Sequence, residues 1–318
     1  MQSIVQTSYQ GIDNLQLMTR LLPRLNPLAV RVETRYTPVM PYDVLTENGD
    51  LKQLRPVQLP IVVGYGFGGI VREVGRLRNQ HLMNQPVIGV QPAGSNQEQL
   101  VSSLPPLLFP VPQDVSLASA TTLIGGADAA YFAFKKSHLA AGQTVLITGA
   151  SGSVGSYLIQ LSRLFHVKTI AVGHSSRHEF LNNLGAEQVL DFDRPLSAQA
   201  ISFSTVSQVI DLAGSPQLLN RLSAQLGAVA ILSLALPQYH PHHPHQTFSF
   251  ASGSILPGDY RWLLDQLAKG QLTAAIQEQL PYTAVKTAQH HLVDAHAAGR
   301  ILLTYNQEVT KHADTIND

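Results

Sequence analysis

Short apolar segments between Pro and Gly residues fill the first part of the chain, up to about residue 116. Three of them, at 28–32, 61–63 and 86–90, have the length and the β-branched content of strands. Long stretches with helical periodicity are missing from this part. The pattern therefore predicts a β-rich structure for residues 1–116.

The pattern changes near Leu117, where strands and helices begin to alternate. Thr144–Thr148 is a continuous apolar run of the kind buried in parallel sheets. It is followed by a glycine-rich turn and by apolar residues at helical spacing: Val154, Leu158, Leu161 and Phe165. Further strands are predicted at 168–172, 188–191, 206–212 and 229–234, and further helices at 177–184 and 216–226. This alternation predicts an α/β fold with a doubly wound parallel sheet.

The alternation stops near Gly253. Asp259 is predicted to be the N-cap of a helix that ends before Gly270, and a helix at 284–298 and a strand at 301–305 follow. This tail is too short to fold alone, so we expect it to pack on the N-terminal part. The predicted domains are therefore 1–116 together with 254–318, and an inserted domain at 117–253.

Composition excludes several classes of protein. Hydrophobic residues make up 44% of the 318 residues, the net charge is zero, and cysteine is absent. Disorder, disulfides, a thiol nucleophile and Cys-ligated zinc are excluded. Without a basic excess we expect no nucleic-acid partner. No secretory signal is visible, and the longest apolar run, about 228–236, is too short to cross a membrane. We therefore expect a cytoplasmic protein with no membrane partner.

The strongest chemical signal is a glycine-rich turn that directly follows the strand Thr144–Thr148 and opens a helix. Its residues, the candidate cofactor-binding turn, are Gly149, Ala150, Ser151, Gly152, Ser153, Val154 and Gly155. Glycines allow a tight turn and the close approach of a pyrophosphate, while the helix N-terminus offers free N–H groups to an anion. This context predicts a dinucleotide site.

The end of the second strand indicates which dinucleotide binds. An NAD site needs an acidic residue about 20 residues after the turn, to accept from the ribose 2′-hydroxyl. No Asp or Glu occurs between Gly149 and His178; instead the strand leads into His174, Ser175 and Arg177. Hydroxyl and guanidinium groups suit a 2′-phosphate. We therefore predict NADPH as the cofactor.

Several segments, taken in order, carry a resemblance to a known family. They are 3–5 with Gly11 and Leu15, 41–43, 64–75, 109–112, the Ala-rich helix predicted at 116–134, the turn 149–155, 184–186, 209–211 and 299–303. On these segments the chain resembles the zinc-independent quinone oxidoreductase branch of the medium-chain dehydrogenase/reductase superfamily. The resemblance covers nearly the whole length.

The resemblance implies a Rossmann doubly wound parallel sheet inserted in a chaperonin-10-like β-rich catalytic domain, assembled as a homodimer. It implies that His174, Ser175 and Arg177 line the 2′-phosphate pocket and that Phe192 lies near the adenine. The implied activity is NADPH-dependent hydride transfer, without zinc, to a small-molecule substrate, either a quinone or a reactive carbonyl compound or enone.

The chain departs from the family on the nicotinamide side. Met40, Gly66 and Ala129 stand where the family often carries Asn, Asp and Thr, and Leu45 and Leu51 replace tyrosines of some quinone reductases. These departures keep a second hypothesis open, in which the chain is an NADPH-binding sensor or interaction protein with little turnover. An RNA-binding side role, which some relatives have, is disfavoured by the zero net charge.

Candidate catalytic residues are few, because a bound nicotinamide carries most of the chemistry of hydride transfer. Tyr42 and Asp43 are the candidate proton donors; the alternative is a packed Tyr42 and an Asp43 that caps a helix. His242 and His245 have a spacing compatible with metal ligands. Prolines interrupt this segment and no acid is near in sequence, so we predict no physiological metal site.

Overall fold

A computed structural model of the chain describes residues 1–53, 56–200, 202–241, 243–294 and 298–305. Within these residues the chain divides into two compact units. The first contains 1–124, 278–294 and 301–305, and the second contains the intervening residues and 298–300. The predicted domains 1–116 with 254–318 and 117–253 remain a prediction; residues 306–318 of the first lie outside the described part.

The first unit is built around two sheets. The strands are β1 Gln2–Gln6, β2 Leu15–Thr19, β3 Val30–Pro38, β4 Ile61–Val62, β5 Gly66–Val74, β6 Pro86–Val90, β7 Gln99–Ser102, β8 Leu108–Pro110, β15 Ile276–Pro281 and β16 Arg300–Thr304. One sheet is antiparallel with the strand order β2-β1-β4, and the other has the order β15-β16-β3-β5-β6-β8, with β7 also paired to β3. The β-rich structure predicted for residues 1–116 is confirmed.

Helices are few in this unit. They are α1 Pro41–Asn48, α2 Leu117–Thr121 and α8 Val285–Asp294. The single Ala-rich helix predicted at 116–134 is interrupted after α2, because a π-helical turn, Leu123–Ala127, separates α2 from the next helix. Such π-turns often mark functional sites.

The second unit is a six-stranded parallel sheet with helices. Its strands are β9 Thr144–Thr148, β10 Lys168–Gly173, β11 Gln188–Asp191, β12 Val206–Asp211, β13 Ala230–Ser233 and β14 Thr247–Phe250. Its helices are α3 Asp128–Ser137, α4 Ser153–Leu164, α5 His178–Leu184, α6 Pro216–Ser223 and α7 Pro257–Ala268. The strand order is β11-β10-β9-β12-β13-β14, all parallel. The doubly wound parallel sheet is confirmed, with its switch point between β9 and β12.

Apolar side chains fix this arrangement. Leu146, Ile170, Val209 and Ile231, one from each of four neighbouring strands, are buried in one core with side chains of α6. Because both faces of a parallel sheet are covered by helices, such strands read as continuous apolar runs. That is why the bounds of β9 and β11 could be predicted from the sequence.

Two of the later elements, β14 and α7, differ from what the sequence predicts. Thr247–Phe250 forms a strand that was not predicted, since this segment is short and mostly exposed. Asp259 is not the N-cap of α7: Leu256 holds that position, and the Asp259 carboxylate accepts a hydrogen bond from the Leu256 N–H at 2.9 Å. The last helix, predicted at 284–298, has its described end at Asp294, since 295–297 lie outside the described residues. In the described part of the chain, no helix combines the length and apolar character that crossing a membrane requires.

Candidate functional site

The glycines of the turn 149–155 have different reasons to be glycine. Gly149 has φ +62°, a left-handed conformation that side chains rarely adopt. A Cβ on Gly155 would lie 2.5 Å from the Ala150 carbonyl oxygen, so α4 can approach β9 only without one. Gly152, the N-cap of α4, has φ −71°, and a Cβ there would meet nothing closer than 3.4 Å. Neither conformation nor packing within the protein requires a glycine at Gly152.

The same turn leaves donors available at the start of α4. The first N–H groups of a helix have no partner within it, and α4 is twelve residues long. The Ser153 Oγ is buried and has no hydrogen-bond partner among the described residues. A backbone that tolerates a close neighbour at Gly152, beside the unpartnered Ser153 hydroxyl and at the start of a helix, fits the pyrophosphate of a dinucleotide.

A short segment from the far end of the chain completes this turn. The Gly299 N–H donates to the Ser151 carbonyl at 2.9 Å, and Gly299 forms a parallel bridge with Gly152. The next residue, Arg300, is 2% exposed and donates through its guanidinium to the carbonyl of Gly125 in the π-turn. Residues 298–300 therefore tie the glycine-rich turn to the π-turn.

A buried acid, Asp128, lies at the start of α3 in the same region. It accepts hydrogen bonds from the Tyr260 hydroxyl at 2.8 Å and from the Ala129 N–H at 2.6 Å. Burial raises the pKa of Asp128, and hydrogen bonds from Gly125, Tyr260 and Ala129 and the charge of Arg300 oppose that rise. Arg300 thus offsets part of the cost of burying a carboxyl group beneath the turn.

A second polar network lies at the switch point of the sheet. Asp211, fully buried at the end of β12, accepts from the Thr148 hydroxyl at 2.6 Å and from the Ser233 hydroxyl at 2.7 Å. The Thr148 oxygen in turn accepts from the N–H groups of Leu212 and Ala213. This network fixes the loops at the carboxyl ends of β9, β12 and β13, where doubly wound folds bind ligands.

The predicted 2′-phosphate residues lie after β10. His174 and Phe192 pack edge to face with their ring centroids 5.8 Å apart, so the structure brings these two and the adjoining Ser175 together. Arg177 is half-buried and ends the short helical turn Ser175–Arg177 through its N–H bond to the His174 carbonyl. Asp193, which follows Phe192 in the sequence, accepts hydrogen bonds from Ser175.

The candidate catalytic residues share the first turn of α1 in the first unit. Tyr42 is 42% exposed, while Asp43 is 5% exposed. Met40, and not Asp43, is the N-cap of this helix. One turn further on, Glu47 is fully buried, accepts from Gln289 at 2.9 Å, and has a second carboxyl oxygen with no partner among the described residues. Burial raises the pKa of Glu47 to about 8; the Gln289 hydrogen bond opposes that rise, and the nearby Asp43 adds to it.

Two of the departures from the family have local explanations. A Cβ on Gly66 would lie 2.5 Å from the Cγ2 of Ile124, so an aspartate at this position would collide with the π-turn. Ala129 is the second residue of α3 and donates its N–H to the Asp128 carboxylate. The polar side chain at the start of this helix is therefore that of Asp128, one residue before the position where the family often carries Thr.

The histidine-rich loop shows no metal centre in its described part. His243 and His245 have ring centroids 5.5 Å apart, and His242 lies outside the described residues. Over the described ranges of the chain, no group of three His, Asp or Glu side chains is arranged to hold a metal ion.

Three features of the site were not predicted from the sequence: Asp193, the Asp211 network and the segment Gly299–Arg300. Asp193 and Asp211 each carried one signal, an acid at or just after the end of a predicted strand. Gly299–Arg300 carried none near the turn, because its contact joins residues far apart in the sequence.

No protein-family model matches the chain. It is 28% identical over 223 residues to alcohol dehydrogenase 2 of Caenorhabditis elegans, covering 61% of this chain and 62% of that protein. It is 22% identical over 311 residues to the chloroplast envelope quinone oxidoreductase homolog of Arabidopsis thaliana, covering 92% of this chain and 94% of that protein.

Solved structures share the whole architecture. The quinone oxidoreductase from Coxiella burnetii has a TM-score of 0.83 at 23% identity, over 96% of this chain and 99% of that one. An NAD-dependent alcohol dehydrogenase has a TM-score of 0.85 at 18% identity, over 96% and 100%. A putative NADPH:quinone reductase from Bacillus thuringiensis has a TM-score of 0.81 at 21% identity, over 95% of this chain and 98% of that one. The predicted fold, a Rossmann sheet inserted in a chaperonin-10-like domain, is confirmed, and the relatives that the chain resembles include proteins named quinone oxidoreductase and alcohol dehydrogenase.

Proposed function

We propose that this protein is an NADPH-dependent oxidoreductase that needs no zinc and transfers hydride to a quinone or to an activated carbonyl or enone. The observation that carries this proposal is the glycine-rich turn between β9 and α4, at the switch point of a six-stranded parallel sheet. Gly152 supports it most directly, since a Cβ there would meet nothing closer than 3.4 Å in the protein and its absence leaves room for a group that approaches the backbone closely.

The residues of the turn would hold the pyrophosphate through backbone N–H groups and the Ser153 hydroxyl. Gly299 holds the turn through its hydrogen bond to Ser151, and Arg300 binds the Gly125 carbonyl of the π-turn. When bound, the nicotinamide supplies the hydride, and the protein contributes binding and orientation. His174, Ser175 and Arg177 would select the 2′-phosphate and Phe192 would pack near the adenine, while Tyr42 and Asp43 are the proposed proton donors.

Zinc independence rests on the chemistry of the donor set. The zinc-dependent proteins of the superfamily that the chain resembles bind zinc through Cys and His ligands. This chain contains no cysteine. A quinone that has accepted hydride can take its proton from water, so this substrate makes the smallest demand on protein acids. The homodimer, the cytoplasmic location and the absence of a nucleic-acid partner remain predictions from the sequence.

The test is a fluorescence titration with NADPH and with NADH, on the native protein and on Arg177→Ala. We expect a preference for NADPH that falls about ten- to hundredfold in the variant, as for the loss of a charged hydrogen bond. Lys168→Ala is the matched control, because Lys168 is an exposed cation at the other end of β10. Failure to bind either cofactor would refute the proposal.

Turnover then separates the two functional hypotheses. A panel of quinones, enals and diketones is offered with NADPH, and its oxidation is followed by absorbance. We expect steady turnover of at least one quinone. Tight NADPH binding without oxidation across the whole panel would instead favour a sensor or interaction protein.

A further inference from the structure

The Asp193 carboxylate lies beside Ser175 and His174, just after the end of β10. β10 and β11 are parallel neighbours in which Gly173 lies beside Asp191. Ser175 lies two residues after Gly173, and Asp193 lies two residues after Asp191. The loops that leave the two strands therefore place Ser175 and Asp193 side by side. The Asp193 Oδ1 accepts the Ser175 N–H at 2.9 Å and its Oδ2 accepts the Ser175 hydroxyl at 2.7 Å, with the His174 Nε2 3.5 Å from Oδ2.

These donors form a compact site for an anion. A backbone N–H, a hydroxyl and an imidazole converge on two carboxylate oxygens, as they would on two oxygens of a phosphate. The Ser175 hydroxyl, with support from its N–H and from His174, holds the pKa of Asp193 below its ordinary value. Asp193 is therefore ionised at neutral pH, and the donors are already engaged with a negative charge.

We propose that Asp193 is a specificity-determining residue, an internal anion that competes with the cofactor 2′-phosphate for Ser175 and His174. This inference rests on the proposed function, which places the adenosine ribose at this end of β10. A phosphate that takes the Ser175 donors must displace the carboxylate and also faces its like charge. The 2′-hydroxyl of NADH carries no charge and can donate to a carboxylate oxygen. Asp193 therefore weakens the preference for NADPH that His174, Ser175 and Arg177 create.

A purely local role for Asp193 makes a different prediction. If the carboxylate only orders the turn after β10, its loss disturbs the ribose site for both cofactors alike. If it competes with the phosphate, its loss improves NADPH binding and leaves NADH binding almost unchanged. The ratio of the two affinities therefore distinguishes these roles.

The experiment measures dissociation constants for NADPH and NADH by fluorescence titration of the native protein, Asp193→Asn and Asp193→Ser. Asn keeps an oxygen that can accept from the Ser175 N–H but removes the charge. Asp114→Asn is the matched control, an equal charge change at an exposed position in the other unit. We expect Asp193→Asn to bind NADPH about tenfold more tightly, with NADH changed less than twofold, and Asp114→Asn to change neither.

Two further measurements fix the mechanism. The gain in NADPH affinity shrinks at 1 M salt, where the Debye length is about 3 Å. In a Ser175→Ala background the gain falls below threefold, because the Ser175 hydroxyl, one of the two contested donors of this residue, is gone. Weaker NADPH binding in both Asp193 variants, or an equal change for both cofactors, would overturn the inference while leaving the proposed function intact. Binding of neither cofactor to any variant would overturn both.

Discussion

The glycine-rich turn and the helix α1 are both candidate parts of the site, but the turn would act through its backbone and α1 through side chains. In the turn, the proposed binding rests on backbone geometry: Gly152 leaves space, and α4 begins there with its first N–H groups. In α1, two acids lie in the protein interior, where Glu47 has an elevated pKa and Asp43 is almost inaccessible. A glycine pattern that allows close approach to the backbone can be recognised in a sequence, whereas the protonation state of a buried acid depends on its three-dimensional neighbours.

The largest effect is expected from Arg300→Met, behind the turn. This change removes a buried guanidinium and leaves Asp128 buried without its opposing charge. The free energy of unfolding should fall by about 3–5 kcal/mol, because a charged hydrogen bond is lost, the Gly125 carbonyl loses its donor, and Asp128 loses an opposing charge. Chemical denaturation measures it, with the exposed Arg261→Met of α7 as control. A loss under 1 kcal/mol would show that the turn does not depend on this anchor.

The next effect concerns Glu47 in α1, where a substitution is expected to raise the free energy of unfolding. Glu47 has an ordinary pKa near 4.5 when unfolded and about 8 when folded, so the native state loses stability as the pH rises from 4.5 to 8. Glu47→Gln removes this cost and should stabilise the protein by about 2–4 kcal/mol at pH 8, with little change at pH 4.5. Urea unfolding at a series of pH values measures this. A pH-independent difference would contradict the raised pKa.

The turn itself is tested by a pair of single-methyl changes. Gly155→Ala places its Cβ against the Ala150 backbone and should destabilise the fold by about 1–3 kcal/mol. Gly152→Ala meets no such obstacle, so Tm should stay within 1–2 °C while NADPH affinity falls about ten- to hundredfold. Thermal unfolding and cofactor titration are both needed. Unchanged affinity in Gly152→Ala would remove the main support for a pyrophosphate at this turn.

The smallest effect is expected from Tyr42→Phe on α1. The side chain is 42% exposed, so stability should change by less than about 0.5 kcal/mol. Turnover of an enone should fall about tenfold and turnover of a quinone less than twofold, because the quinone can take its proton from solvent. Equal losses for both substrates would instead indicate a role in binding.

The sequence was sufficient for the sheet because apolar runs and glycines act locally. β9, β11 and the turn that opens α4 depend on residues within about 20 positions, and their bounds were predicted closely. Asp193 was not predicted, because a ribose acid is expected about 20 residues after the glycine-rich turn. Asp193 instead lies on the neighbouring strand's side, level with Ser175 through the pairing of Gly173 with Asp191.

The remaining misses have the same physical origin. Glu47 and Arg300 look like ordinary charged residues until burial removes them from water. The π-turn at Leu123–Ala127 interrupts a segment whose composition favours one continuous helix, and Gly66 packs directly against it. Tertiary packing overrode local propensity in both cases.

The pairing of Gly152 with Gly299 also sets the order in which this protein becomes competent during synthesis. At about 5–20 residues per second, the segment that carries Gly299 leaves the ribosome roughly 8–30 seconds after the turn it supports. During that interval the sheet strands β9 to β13 are available to fold, but the Ser151 carbonyl and the π-turn lack their partners. The nascent chain can therefore form this sheet before it can complete the glycine-rich turn.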